Sequence, residues 1–192
     1  IQKIKECFRR MFRFKRMISS LIVFVILLPI LGTVSYAEEI DLTAKAAILI
    51  EMDTGQVLYE KNADMQWAPA STTKIMTALV ALENADINTK MKASASAINS
   101  IPLDYGIAGI KVGEELTLND LLHFVLIISA NEAANVIAEN ISPSGRLEDF
   151  IDLMNKEVAR LGLKNTHFTN SYGLDEENHY SSARDLAIMA QE

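Results

Sequence analysis

Cysteine is almost absent from this 192-residue chain, occurring once, as Cys7. Beyond residue 37 there is none, which excludes a disulfide framework, a thiol nucleophile and a cysteine-based metal site from that stretch. Histidine is nearly as scarce. His123, His167 and His179 are the three, and they show no metal-ligand spacing such as His-Glu-x-x-His. Basic charge is short as well. The chain has 18 Lys and Arg against 25 Asp and Glu, and seven of the 18 fall in the first 16 residues with Glu6 as the one acid there. Residues 38–192 therefore keep 11 basic against 24 acidic side chains, a net charge near −13. Nucleic-acid binding demands a basic footprint, so so acidic a domain is a poor candidate for it. Long apolar runs are missing too. The main one, residues 21–31, is eleven residues with Pro29 inside, well short of the roughly 20 that a bilayer span needs. There is no internal repeat and no low-complexity tract.

What is present begins with an export signal. Lys3, Lys5, Arg9, Arg10, Arg13, Lys15 and Arg16 precede the apolar run, and Ser35-Tyr36-Ala37 follows it with small residues where a signal peptidase reads. A basic segment, a short apolar segment and a small-x-small site describe a secretory signal peptide over residues 1–37, cleaved after Ala37. Retention as a membrane anchor is the alternative, and the length of the run argues against it. The first residue is Ile1, so translation is expected to start at Met11 or Met17. The remaining 155 residues, 38–192, suffice for one domain with a hydrophobic core.

Residues 46–51 and 56–60 are short apolar runs flanking Asp53-Thr54-Gly55, the pattern of a β-hairpin. A helix is expected from Ser71 to about Glu83, where Ile75, Met76, Leu79, Val80 and Leu82 are too many apolar residues for a surface helix. Residues 84–113 read as irregular, punctuated by Pro102, Gly106, Gly109 and Gly113. Thr117-Leu118-Asn119-Asp120 opens a second apolar helix ending near Ile128, and a third is expected over residues 131–139. Leu147, Phe150, Ile151, Met154, Val158 and Leu161 make a helical stripe that stops at Gly162, and Ser182-Ala183-Arg184-Asp185 opens another helix. A two-stranded sheet is not stable alone. Either the helices cover the hairpin, or further strands are expected beyond Glu192.

Two short patterns carry chemistry. In Ser71-Thr72-Thr73-Lys74 the i, i+3 spacing puts Ser71 and Lys74 on one helical face. An attacking serine needs a base, and lysine serves when burial or a neighbouring cation destabilises its ammonium. The helix N-terminus adds unpaired N–H groups where an oxyanion would form. The plainer reading is a capped helix with a surface lysine. Ser129-Ala130-Asn131 falls at the break between two apolar helices, where a hydroxyl and a carboxamide either cap a helix, with Ser129 as N-cap, or face a cleft.

Together, Ser-x-x-Lys and a downstream Ser-x-Asn belong to the three-part signature of penicillin-binding proteins and class A β-lactamases. The flanks sharpen the likeness. Asp53-Thr54-Gly55-Gln56-Val57-Leu58-Tyr59-Glu60-Lys61-Asn62 and Ala68-Pro69-Ala70-Ser71-Thr72-Thr73-Lys74-Ile75-Met76-Thr77 resemble the N-terminal block of the D-alanyl-D-alanine carboxypeptidases, the S11 serine peptidases among the low-molecular-mass penicillin-binding proteins. Leu121-Leu122 through Ser129-Ala130-Asn131-Glu132-Ala133-Ala134 resembles a second block. Phe168-Thr169-Asn170-Ser171-Tyr172-Gly173-Leu174 and His179-Tyr180-Ser181-Ser182-Ala183-Arg184-Asp185-Leu186-Ala187 resemble a third. The resemblance implies an α/β (α+β) fold of the serine β-lactamase/DD-transpeptidase type, incomplete at the C-terminus. It implies Ser71 as the acylated nucleophile and Lys74 as its base. Ser129 would relay a proton to the leaving D-alanine nitrogen, and Asn131 would bind the substrate amide and hold Lys74. The implied reaction is removal of the terminal D-alanine from peptidoglycan stem peptides at the outer face of the cytoplasmic membrane. β-Lactams are the implied inhibitors, with no metal or organic cofactor. A C-terminal membrane anchor often accompanies the family.

The family's third motif, Lys-Thr/Ser-Gly, lies on a strand after the second block. Lys111-Val112-Gly113 precedes Ser129 and is rejected as a substitute, so the motif is expected after Glu192. With it would come a second oxyanion N–H and groups for the substrate carboxylate, and residues 38–192 alone are expected to be inactive. Three rivals remain. A class A β-lactamase usually has Ser-Asp-Asn and a downstream Glu-x-x-Leu-Asn; here Ala130 is central, and Glu157 with Leu161 is already explained by a helical stripe. A non-catalytic cell-wall-binding domain on the same scaffold turns on the third motif. A metal hydrolase is the weakest: His123 reads as a core histidine of an apolar helix and His179 as structural.

Overall fold

A computed structural model describes residues 11, 15–18, 41–102 and 106–192. Almost the whole expected signal peptide thus lies outside the described residues. The chain divides into two compact units, Ile1–Leu42 and Thr43–Glu192. Residues 15–18 of the first are helical, and no helix among the described residues is long and apolar enough to cross a membrane.

The second unit is a mixed helix-and-sheet fold. Strands β1 (Ala47–Ile50) and β2 (Val57–Lys61) form the expected antiparallel hairpin, Ala47 opposite Lys61, with a register shift at Leu49/Ile50. Its turn is tied by Glu51, whose carboxylate accepts from the Asp53 and Thr54 N–H groups and the Thr54 hydroxyl. A 3₁₀ turn, Ala70–Thr72, leads into helix α1 (Thr73–Asn84). The expectation of a buried α1 holds for Met76 and Val80, whereas Leu82 is 51% exposed because it falls on the face turned from the neighbouring helices.

The stretch read as irregular contains more order than expected. Strand β3 (Lys90–Lys92) pairs antiparallel with β4 (Glu115–Thr117), and helix α2 (Ala95–Asn99) lies between them. Strands of three residues leave too few alternations to read a period of two. Helix α3 (Leu118–Ile127) opens on the anticipated motif as a full capping box between Thr117 and Asp120. Helices α4 (Asn131–Ile141), α5 (Leu147–Arg160) and α6 (Ala183–Gln191) complete the unit. Gly162, with φ of +67°, ends α5 as expected, and the Ser182 hydroxyl caps α6 by accepting from the Asp185 N–H.

Helix α1 is the hub, packed against α3, α4, α5 and α6. Met76, Val80, Leu121, Val125, Ile137, Phe150, Met154 and Phe168 fill the space between them. The first eight residues of α4 are all buried, and Ala133, Ala134 and Ala138 let it lie close to its neighbours. Each large apolar side chain buried here contributes about 1.5–3 kcal/mol. Helix α6 packs against β1 of the hairpin, and Arg184 at its start binds Asp64 through two nitrogens and Glu60 through one. Leu49, Val57 and Leu58 of the hairpin remain exposed.

Candidate active site

Ser71 sits in the 3₁₀ turn rather than in α1 itself, and the preceding Ala70 has a φ of +47°. A left-handed non-glycine residue is strained by about 1–3 kcal/mol and persists only when its surroundings hold it. The holder is Gly173. A Cβ added there would lie 1.9 Å from the Ala70 carbonyl oxygen and 3.0 Å from the Ser71 nitrogen, so backbone packs directly on backbone. Gly173 itself has a φ of +97°, open only to glycine. Asn170 shapes its loop, the Oδ1 accepting from the Gly173 N–H at 2.7 Å and the Leu174 N–H at 3.0 Å.

One turn on, Lys74 points inward and is 2% exposed. Its Nζ lies 3.1 Å from Ser71 Oγ, 2.7 Å from Asn131 Oδ1 and 2.8 Å from the Tyr172 carbonyl oxygen. The last two are pure acceptors. A neutral amine has two N–H donors and one lone pair. Asn131 and Tyr172 take the donors, and the lone pair is left for the Ser71 hydroxyl. Burial pushes the Lys74 ammonium down to about 8. Roughly a tenth of the lysine is then neutral at pH 7, where an ordinary lysine of pKa ~10.4 would be neutral in fewer than one molecule in a thousand. The plainer reading of a surface lysine is thereby ruled out.

Asn131 opens α4 and is buried, while among the described residues its Nδ2 has no protein partner. Ser129 differs from expectation. The N-cap of α4 is Ala130, without a side-chain cap, and Ser129 adopts a φ of +60° at the junction. Among the described residues its hydroxyl makes no hydrogen bond to Ser71, Lys74 or Asn131. The structure therefore brings Ser71, Lys74 and Asn131 into one bonded cluster and places Ser129 two residues from it in sequence, on a strained turn. The Ser71 N–H likewise has no backbone acceptor among the described residues.

Sequence reasoning passed over several contributors. Tyr172 and Gly173 act through backbone, which has no side-chain signature. The Asn170 to Gly173 spacing, a turn-forming residue three before a glycine, was the available signal. His179, read as structural, is buried against Thr73, which follows the Ala70–Thr72 turn. Its Nδ1 accepts from the Thr169 N–H at 3.0 Å, which leaves Nε2 to donate to Thr73 Oγ1 at 2.8 Å. His123 is the correction among the histidines. It is exposed, with Nδ1 bonded to the Asn119 carbonyl at 2.7 Å, because position 123 falls on the outer face of α3. Lys111-Val112-Gly113 is exposed and lies in the turn before β4, not on a strand. Glu157 is on α5 and bound to Arg160.

Burial holds the His179 pKa below its ordinary value, outweighing the charges of Glu176 and Asp175, which act the other way. The unfolded chain takes up its proton near pH 6.5, before the folded one does. Stability from this group is fully present above that pH and is lost as pH falls towards the lowered folded value. Melting curves at pH 7.5 to 5.5 should show this loss, and His179→Gln should flatten the slope while costing about 1 kcal/mol at pH 7.5. An unchanged slope in the variant would show that other groups carry it.

The sequence model of the family described as D-alanyl-D-alanine carboxypeptidase matches residues 33–192. The chain is 41% identical to the D-alanyl-D-alanine carboxypeptidase DacF of Bacillus subtilis over 189 residues, covering 93% of this chain and 47% of that protein. The crystal structure of penicillin binding protein 5 from Haemophilus influenzae matches with a TM-score of 0.75 at 33% identity, over 81% of this chain and 46% of that one. The Streptomyces K15 DD-transpeptidase matches with a TM-score of 0.76 at 30% identity, over 81% and 62%. The chain spans about half the length, or less, of the curated relatives it matches.

Proposed function

Since the chain belongs to the D-alanyl-D-alanine carboxypeptidase family of S11 peptidases, we propose that the protein removes the terminal D-alanine from peptidoglycan stem peptides through an acyl-enzyme on Ser71. The fold is of the DD-transpeptidase type, matching the solved relatives. The observation that carries the reading is the three-point hold on Lys74 Nζ. Asn131 and Tyr172 accept from two of its N–H groups, and the third position, 3.1 Å from Ser71 Oγ, is a donor in the ammonium and becomes the lone pair in the neutral amine.

In the proposed mechanism neutral Lys74 takes the Ser71 proton as Oγ attacks the carbonyl carbon of the penultimate D-alanine. The Ser71 N–H donates to the developing oxyanion, and the Asn131 Nδ2 donates to a backbone carbonyl of the peptide. The proton leaves Lys74 for the departing D-alanine nitrogen by way of the Ser129 hydroxyl. Water then hydrolyses the ester with Lys74 again as base. β-Lactams would acylate the same Oγ. Export by residues 1–37 and action at the outer face of the cytoplasmic membrane complete the proposal. A β-lactamase-like turnover is disfavoured by Ala130 and by Glu157, which is committed to Arg160 on α5.

The test is labelling of the full-length protein with a fluorescent penicillin, followed by peptide mapping. The label is expected on Ser71 and absent from Ser71→Ala, with a stable penicilloyl ester and release of D-alanine from a D-Ala-D-Ala peptide. A label on another residue, or equal labelling of the alanine variant, would sink the reading. Rapid turnover of the ester would point to a β-lactamase, and peptide binding without labelling to a wall-binding domain.

A further inference from the structure

Beside the cluster lies a buried carboxylate that the mechanism does not use. Glu132 is the second residue of α4 and is 2% exposed. Its Oε1 accepts from three successive backbone N–H groups, those of Ala108 at 2.6 Å, Gly109 at 2.9 Å and Ile110 at 3.4 Å. Successive N–H groups turned towards one point make an anion-binding concavity. The same loop is tied a second time, its Gly106 carbonyl accepting from the Asn131 N–H at 3.0 Å. Among the described residues Glu132 Oε2 has no partner although it is buried. A buried acceptor left unpaired opposes folding, so the bonds of Oε1 are what hold this side chain in place.

Asn131 and Glu132 are neighbours in the first turn of α4, so their side chains leave the helix about 100° apart. One reaches Lys74 and the other the 106–110 loop. The helix end is thereby held from two sides, and its rotation sets where Asn131 Oδ1 meets the lysine. We infer that Glu132 is a positioning residue for the base: by clamping the 106–110 loop to the start of α4, it keeps Asn131 on Lys74 and so keeps the lysine lone pair on Ser71. The inference rests on the acyl-enzyme reading above. Glu132 Oε1 is taken up by the backbone N–H groups of the loop and makes no bond to Lys74, so the part inferred for it is geometric.

That distinction is testable. In Glu132→Gln the amide oxygen takes the place of Oε1 and the amide nitrogen falls at the unpartnered Oε2 position, so the clamp survives without charge. Glu132→Ala removes it, and Glu132→Asp, one methylene shorter, cannot reach all three N–H groups. The measurement is the rate of penicillin acylation at Ser71 from pH 6 to 10 in the full-length protein, with melting curves alongside. Glu132→Gln should keep the parent rate within about threefold and the same pH midpoint. Glu132→Ala should lose about tenfold or more, as misplaced catalytic groups do, and its midpoint should move alkaline because a loosened Lys74 gains water. Where the alanine variant melts below the assay temperature, Glu132→Asp is expected to move the midpoint in the same direction. A loss spread evenly over pH would be a stability effect and would overturn the inference, as would a folded alanine or aspartate variant with the parent rate and midpoint. A Glu132→Gln variant as impaired as alanine would show that charge matters, against the geometric account. A parent protein that is not labelled on Ser71 would instead remove the reading on which the inference stands.

Discussion

Lys74→Arg is expected to lower penicillin acylation by roughly a thousandfold or more at pH 7, because a guanidinium stays protonated and offers Ser71 no lone pair. The parent rate should rise about tenfold per pH unit below pH 8 and level off above it, following the neutral fraction of a lysine that burial holds at about 8. The arginine variant should lose that limb altogether. Melting curves decide whether the loss is chemical. The guanidinium would still face the Asn131 oxygen and the Tyr172 carbonyl, so a folded, inactive protein is the expected outcome. Acylation at near the parent rate with a similar melting curve would leave Lys74 as an electrostatic anchor, and the base would have to be sought elsewhere.

Gly173→Ala should have a comparable effect for a different reason. The new Cβ would sit 1.9 Å from the Ala70 oxygen and 2.3 Å from its carbon. These are backbone atoms of the turn that carries the nucleophile, so there is no flexible side-chain end to yield. Either the 170–174 loop withdraws, taking the Tyr172 carbonyl from Lys74, or the Ala70 turn relaxes and swings Ser71 away. Both routes disarm the base and nucleophile pair. A loss of about 100-fold or more in acylation is expected, since displacements near 1 Å cost that much. Stability should fall by about 3 kcal/mol or more, given steric overlap added to a left-handed φ. Gly162→Ala is the control. Its φ of +67° imposes a similar backbone penalty, but nothing lies within 4 Å of the added carbon. That variant should lose about 1 kcal/mol and keep its acylation rate. Equal behaviour of the two variants would show that the close approach of Gly173 to Ala70 has no part in the site.

The parts of this protein legible in its sequence are those set within a few residues. The Asp53-Thr54-Gly55 turn, the Thr117–Asp120 capping box, the Gly162 stop and the Ser182 cap are local hydrogen-bond patterns, and each stands where expected. The Ser71–Lys74 pair is local too, since three residues make nearly one turn. Strands β3 and β4 escaped because three residues show no alternation, and His123 was misplaced because an apolar helix does not say which face is outward. What no local pattern contains is the state of the base. Lys74, the proposed base, is enclosed only when α4 brings Asn131 and the 170–174 loop brings the Tyr172 carbonyl, from 57 and 98 residues away along the chain. Desolvation is a property of the assembled surroundings, and a carbonyl oxygen is the same in every residue. The amino-acid sequence by itself determined which groups could react; the packing of distant segments decided that the lysine is dry, doubly held and turned towards the serine.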